Sequence, residues 1–202
     1  MAKVGAVILA AGGSSRFGKP KQLVRFEGRT LLERAIGAAV EGGCRPVVVV
    51  VGSDAAAVTA AISDTAVSIT ENPDWANGIG TTIRAGVQHA HELAPDADAI
   101  IILVCDQPLV NDRTVASLIE RWVETRKPIV ASSYSDTLGV PALFDSSCFG
   151  ELLQLQGDAG AKSIIVHNRA RVTEIAFPEG THDIDTGQGL TNLATTRTKD
   201  RK

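Results

Sequence analysis

The stretch Val7–Leu23, VILAAGGSSRFGKPKQL, decides how this chain is read. It opens as an apolar run, breaks into glycine and serine, and then places Arg16, Lys19 and Lys21 within six residues. An apolar strand running into a Gly/Ser turn with fixed cations is how a protein builds a cradle for a phosphate chain. Glycine lets the backbone approach a ligand closely, so that N–H groups bind anionic oxygens. The cations offset charge that backbone dipoles alone do not. Two better-known phosphate motifs come close and fail. GSSRFGKP, from Gly13, has the P-loop spacing, but Pro20 stands where a Ser or Thr would reach magnesium, and it disfavours helix at Lys19. The adjacent glycines of AAGGSSRFG do not give the G-x-G-x-x-G spacing that binds a dinucleotide pyrophosphate.

Around this stretch, short apolar runs alternate with helical patterns, which predicts βαβ units. The expected fold class is α/β, a Rossmann-like three-layer sandwich with a mostly parallel central sheet. Val4–Leu9 reads as the first strand and Pro46–Val51, nearly all valine, as a strand buried on both faces. Thr30-Leu-Leu-Glu33 is a capping box that opens a helix, which Gly42-Gly43 stops. Further helices are expected over 54–62, from Ile79 with Ile83, Val87 and Ala90 on one face, and over 112–126. In the last of these Val115, Leu118, Ile119, Trp122 and Val123 form the apolar face. Strands are expected near 67–70, 99–104, 128–132, 140–144 and 171–177, with helices near 146–155 and 160–168.

At 202 residues the chain suits one well-buried domain over 1–202. The expected division is a nucleotide-binding half of about 1–110, an acceptor half of about 111–196 and a frayed tail, 197–202. Apolar residues make up 44% but aromatics only 4%, so the core must be built from Ala, Val, Ile and Leu. A net charge of −3 leaves no global basic field for nucleic acid. No apolar run approaches the roughly 20 residues of a membrane span, and Lys3 before VGAVILAA reads as the start of a buried strand, not a signal peptide. Cys44, Cys105 and Cys148 are isolated, with no CxxC, which predicts a reducing, cytoplasmic location and no metal cluster.

In open α/β sheets, ligands collect beyond the carboxyl ends of the strands. The glycine loop follows the first strand, and Asp106 follows strand 99–104. Asp106 reads either as a turn residue or as a magnesium ligand, since Mg²⁺ takes one or two protein carboxylates plus phosphates and water. Asp185 is the candidate second carboxylate, with a turn Asx role as its alternative, and Asp183 is a weaker choice. Arg16 and Lys21 read as ligands of a triphosphate or as surface charges, and Lys19 as a rim charge. Trp75 either packs over a helix end or lines a pocket. His89, His91, His167 and His182 read as surface or loop residues. Cys105 reads as a small buried strand residue, because no base partner is identifiable.

LAAGGSSRFGKPKQL resembles the LAxGxSxRMGxxKxL signature of a family of nucleotidyltransferases, and within it the chain is most similar to the molybdenum cofactor cytidylyltransferases. NPDWANGIGTT (Asn72–Thr82) resembles that family's NPxWxxGMxxS loop, and VCDQP (Val104–Pro108) its metal-binding DQP. LGVPALF (Leu138–Phe144) and GDAGAK (Gly157–Lys162) resemble two substrate-side motifs, and DIDT (Asp183–Thr186) resembles its DxDTPxD. The chain departs from the pattern at Phe17, Ile79, Lys162 and Gly187-Gln188.

The resemblance implies transfer of CMP from CTP to a phosphorylated pterin, the molybdenum cofactor, with Mg²⁺ or alternatively Mn²⁺. Arg16, Lys21 and Asp106 would be catalytic. Leu9, Ala10, Ala11, Gly12, Gly13, Arg16, Lys21, Gly78 and Asp106 would bind nucleotide, and Asp106 and Asp185 metal. Asn72, Trp75, Gly78, Gly139, Pro141, Gly157, Asp158 and Lys162 would bind the acceptor. Leu9-Ala10-Ala11-Gly12 matches the LAAG of the family's cytidine members, where its guanine members read LAGG. A client molybdoenzyme or its chaperone is the implied protein partner. Three alternatives stand beside this reading: transfer to a sugar or polyol phosphate, a non-catalytic cofactor carrier, and a flavin- or nicotinamide-dependent oxidoreductase.

Overall fold

The computed structural model describes residues 2–13 and 20–181. Its first strand, β1 (Val4–Ala10), is buried along all seven residues, because a parallel strand covers each of its edges and helices cover both faces. In chain order there follow β2 (Arg25–Phe26), β3 (Arg29–Thr30), α1 (Leu31–Glu41), β4 (Val47–Val51), α2 (Ala55–Ala61), β5 (Ser68–Glu71), α3 (Ile79–Leu93), β6 (Ala99–Val104), α4 (Asp112–Thr125), β7 (Ile129–Tyr134), β8 (Thr137–Asp145), α5 (Phe149–Leu153), α6 (Ala161–His167) and β9 (Val172–Ala176). Among the described residues, seven strands form one sheet in the order β5-β4-β1-β6-β8-β7-β9. Only β8 runs against the rest, pairing antiparallel with β6 and β7.

Strand alternation sorts the core into two layers. Ala6 and Ile8 point with Val47, Val49, Ile101 and Leu103 toward α1, α2 and α4. Val7 and Leu9 point with Val48, Val50, Ile100 and Ile102 toward α3, α5 and α6. Each fully buried Val or Ile in these layers contributes about 1.5–3 kcal/mol. The three-layer α/β sandwich is therefore as expected from the sequence. The capping box is also present: the Glu33 N–H donates to Thr30 Oγ1 at 3.1 Å, and the Thr30 N–H donates to Glu33 Oε2 at 2.6 Å.

Two helix faces differ from the sequence pattern. Val123 is 40% exposed, since it stands about 100° around α4 from Trp122 and off the buried stripe of Val115, Leu118 and Trp122. Ile79 is 42% exposed at the first turn of α3 and faces the Gly160 backbone, not the sheet. Two hairpins escape the periodicity. β2–β3 turns at Glu27-Gly28 and β7–β8 at Ser135-Asp136, and all four turn residues have positive φ, as type I′ turns require.

The β8 ladder is interrupted near the carboxyl end of β6. The β6–β8 ladder ends at Ile102↔Ala142, and the β7–β8 register jumps from Ala131↔Ala142 to Ser132↔Gly139. Val140 and Pro141 are thus bulged out of the ladder, where Pro141, with no N–H, has no ladder bond to lose. Because β8 is reversed, Gly139–Pro141 lie beside the carboxyl end of β6, on the side of the sheet where the loops after β1 and β6 emerge.

Candidate active site

Pro20 precedes a single 3₁₀ turn, Lys21–Leu23, and this turn aims two consecutive side chains at different targets. Lys21 Nζ donates to Asp106 Oδ2 at 3.1 Å, across 85 residues of chain. Their side chains are 16% and 33% exposed, so the pair is partly shielded from water yet open on the carboxylate side. Gln22 is buried, and its Nε2 donates to the carbonyls of Ala10 at 2.7 Å and Gly12 at 3.0 Å. The loop after β1 and the carboxylate after β6 are therefore joined by one dipeptide. They face each other where β4 and β6 flank β1 on opposite sides, the switch point at which open α/β sheets bind ligands.

Trp75 belongs to this side of the site. A Cβ built on Gly13 would stand 3.2 Å from Trp75 Cζ3, and one on Gly52 would stand 2.8 Å from Trp75 Cβ. The indole thus packs on the glycine loop itself. Asn72 is buried, with Nδ2 donating to Thr81 Oγ1 at 2.9 Å and Thr82 Oγ1 at 3.0 Å, while its Oδ1 accepts from the Asp74 N–H at 3.0 Å. Its side chain is spent on folding the 72–78 loop onto the start of α3.

Gly78 is the pivot of that loop. Its φ of +106° is open essentially to glycine alone, and a Cβ there would lie 2.2 Å from the Gly157 carbonyl oxygen. The Gly80 N–H donates to the same oxygen at 2.9 Å. The NPDWANG and GDAGAK segments are in this way packed backbone against backbone, with Asp158 and Lys162 exposed beside them. At the bulge, Ser132 Oγ donates to the Pro141 carbonyl at 2.6 Å, and the Tyr134 hydroxyl, which would meet any side chain at Gly139, donates to the Val140 carbonyl at 3.1 Å.

Gln107 Nε2 donates to the Gly180 carbonyl at 3.4 Å, which ties the Asp106 segment to the turn Pro178–Thr181. Cys105 beside it is buried, and burial, with Asp106 adding to it, pushes its thiol up to about 12. It is a packing residue and no thiolate at neutral pH. Arg16, Lys19, Asp183, Asp185 and His182 lie outside the described residues. Among the described residues, no group of three or more His, Cys, Asp or Glu side chains could hold a metal alone, and no helix is long and apolar enough to cross a membrane. A single strand-end carboxylate with an adjacent cation still fits Mg²⁺, which draws most of its ligands from phosphate oxygens and water.

The loop after β1, Lys21 and Asp106 all fall inside residues 6–172, the span over which the chain matches the model of the MobA-like NTP transferase domain. The chain belongs to the MobA-like NTP transferase family. The Gly139–Pro141 bulge and the packed 72–80 and 156–160 segments also fall within the domain, whereas Asp183 and Asp185 lie beyond it. The chain is 34% identical over 166 residues to a Paenarthrobacter nicotinovorans protein named nicotine blue oxidoreductase, covering 79% of each. It is 30% identical to a probable molybdenum cofactor guanylyltransferase of Bacillus mycoides, covering 60% of this chain and 58% of that one. The crystal structure of Rv0371c from Mycobacterium tuberculosis H37Rv is 31% identical and superposes with a TM-score of 0.78 over 96% of this chain and 98% of its own. A second crystal structure of that protein is a complex with manganese.

Gln22 is the site residue that sequence reasoning passed over. Its local sequence carries no signal of this role, because the Ala10 and Gly12 carbonyls it meets are placed by the fold.

Proposed function

We propose that this MobA-like transferase moves CMP from CTP onto the terminal phosphate of the molybdenum-bound pterin cofactor and releases pyrophosphate. The observation that carries the reading is the contact of Lys21 with Asp106 beside the glycine loop, at the switch point of the sheet. An oxygen of the acceptor phosphate attacks the α-phosphorus of CTP. The bond from that phosphorus to the bridging oxygen of the β-phosphate breaks, and pyrophosphate leaves with the electron pair. The acceptor is already an anion at neutral pH, so no protein nucleophile is required. The protein has to align two anions and offset their repulsion.

Lys21 supplies a fixed cation at the phosphate chain, and Arg16 is proposed as its counterpart on the leaving pyrophosphate. The backbone of Leu9–Gly13 holds the nucleotide. The bulge at Gly139–Pro141 and the 72–80 and 157–162 segments, with Lys162 exposed, wall the acceptor side. Asp106 would hold Mg²⁺ or Mn²⁺, with Asp185 proposed as a second ligand. When bound, the ion supplies charge stabilisation on the phosphate oxygens. The manganese complex of the Rv0371c protein supports a divalent cation. The Bacillus relative's name supports a pterin acceptor but speaks for GTP. Ala11, in place of the first glycine of LAGG, speaks for CTP.

The name of the Paenarthrobacter relative favours a second reading, redox chemistry on a nucleotide cofactor held by the same loop. Pyrophosphate release from CTP and from GTP, with Mg²⁺ and with or without the pterin cofactor, separates these readings. Release that needs both CTP and the pterin is expected. Release with GTP alone overturns the base assignment. No release with either, together with oxidation of NADH or NADPH, supports the second reading.

A further inference from the structure

We infer that Gln22 is a positioning residue that sets the nucleotide loop in its binding conformation. This rests on the loop being the nucleotide site. The side chain is 3% exposed, and its Nε2 makes the two hydrogen bonds to the Ala10 and Gly12 carbonyls described above. Those two acceptors decide which end of the carboxamide is nitrogen, since the reverse orientation would set an oxygen against two oxygens.

The consequence for the loop follows from peptide geometry. A peptide unit is planar and trans, so its N–H points opposite to its C=O. The unit whose carbonyl belongs to Ala10 carries the N–H of Ala11, and the unit whose carbonyl belongs to Gly12 carries the N–H of Gly13. Drawing both carbonyls onto Gln22 turns both N–H groups to the opposite side of the loop. Between them, the Ala11 carbonyl is held by the Ser53 N–H at 3.1 Å, so three consecutive peptide planes are fixed. A loop held in this way binds an anion without first having to be ordered.

A second observation shows that Gln22 is not simply well-packed core. Its Oε1 is buried and has no hydrogen-bond partner among the described residues. An orphan acceptor of this kind is destabilising, and an apolar residue of the same size would avoid that penalty. A side chain serving packing alone would be better replaced by methionine or leucine. The donor end is what the position requires.

The same turn sends the preceding residue, Lys21, to Asp106. One 3₁₀ turn thus couples the loop's backbone to the charged pair, and the spacing of the two functions is fixed by their adjacency in sequence.

The test is calorimetric binding of CTP and GTP, with Mg²⁺, to the full chain and to its Gln22→Met and Gln22→Glu variants, with melting temperature measured alongside. Gln22→Met removes the donor and the orphan acceptor together and keeps the volume. It is expected to lower nucleotide affinity tenfold or more, to raise the nucleotide KM without raising the acceptor KM, and to leave the melting temperature within a few degrees. Gln22→Glu sets a carboxylate against both carbonyls and is expected to lose more affinity than Gln22→Met.

Unchanged affinity in Gln22→Met, with a lowered melting temperature, would overturn the inference and leave Gln22 a structural residue. Amide hydrogen exchange on the unmutated protein tests it without any variant. Ala11 and Gly13 are expected to gain protection when nucleotide binds, and binding that leaves both unprotected overturns the inference. If the unmutated protein binds neither nucleotide, the functional reading itself fails, which is a distinct result.

Discussion

Replacing Asp106 by Asn keeps the shape of the side chain and removes its charge, and the structure sets what this should do. The carboxylate is one third exposed and Lys21 is 16% exposed, so the pair lies between two regimes. Exposed pairs contribute about 0–1 kcal/mol, and breaking a buried pair costs about 3–5 kcal/mol. The intermediate exposure places the expected loss at about 1–2 kcal/mol, because Lys21 loses a partner while water still reaches the carboxylate side. For a chain of this size that is a fall of roughly 3–6 °C in melting temperature. The catalytic loss should be larger. Removing one group that meets developing charge typically costs about 10²–10³ in rate, or roughly 2.7–4 kcal/mol of barrier. At 25 °C the Asn variant should therefore remain folded by circular dichroism and release pyrophosphate at least a hundredfold more slowly at saturating Mg²⁺. A wild-type rate would remove Asp106 from the chemistry. A collapse of the melting temperature by tens of degrees would make it a structural residue.

Other outcomes follow from particular contacts. Gly78→Ala places a Cβ about where the Gly157 carbonyl now stands and strains a φ of +106°. It should destabilise the fold by about 3 kcal/mol or more in urea melts and uncouple the 72–80 loop from residues 156–160. Thr30→Ala removes the N-cap of α1 and should cost about 1 kcal/mol in the same measurement. The Glu33 carboxyl is held below its ordinary value, chiefly by the Thr30 N–H. Its contribution to stability is therefore full above the unfolded pKa and is lost as pH falls through the lower folded value. The melting-temperature gap between the unmutated protein and Glu33→Gln should narrow below about pH 4. The three cysteines are buried, and burial pushes Cys44 up to about 12 and Cys148 up to about 11. A thiol reagent at pH 8 should find none of the three reactive in the native protein and all three after denaturation.

The strands and helices that carry this site were legible because burial writes itself into local pattern. β1 and β4 are apolar throughout since both faces and both edges are covered, and the α1 capping box is a four-residue signal that needs no tertiary context. The β7–β8 hairpin was not legible. Its turn at Ser135-Asp136 takes positive φ without glycine, so the reversed strand and the bulge at Val140-Pro141 leave little local trace. Lys21 and Asp106 could be picked out by their chemistry, but their meeting is a property of the sheet order. Trp75 shows the same limit, because the contact of its ring with Gly13 joins segments far apart in sequence. The roles of Gly78 and Gly157 in backbone contact, and of Gln22 as a clamp, depend on neighbours distant in the chain. Val123 and Ile79 fit an apolar periodicity that cannot register which part of a helix face is covered.

On this reading the phosphate chain of a nucleotide and its metal ion meet at the Lys21–Asp106 edge of the sheet. Crystals grown with Mn²⁺ and a non-hydrolysable CTP analogue test this directly through anomalous scattering. A manganese peak is expected about 2 Å from an Asp106 carboxylate oxygen, with the triphosphate oxygens shared between the ion, Lys21 and the backbone of Ala11–Gly13. A nucleotide bound elsewhere, or a manganese ion with no bond to Asp106, would contradict it.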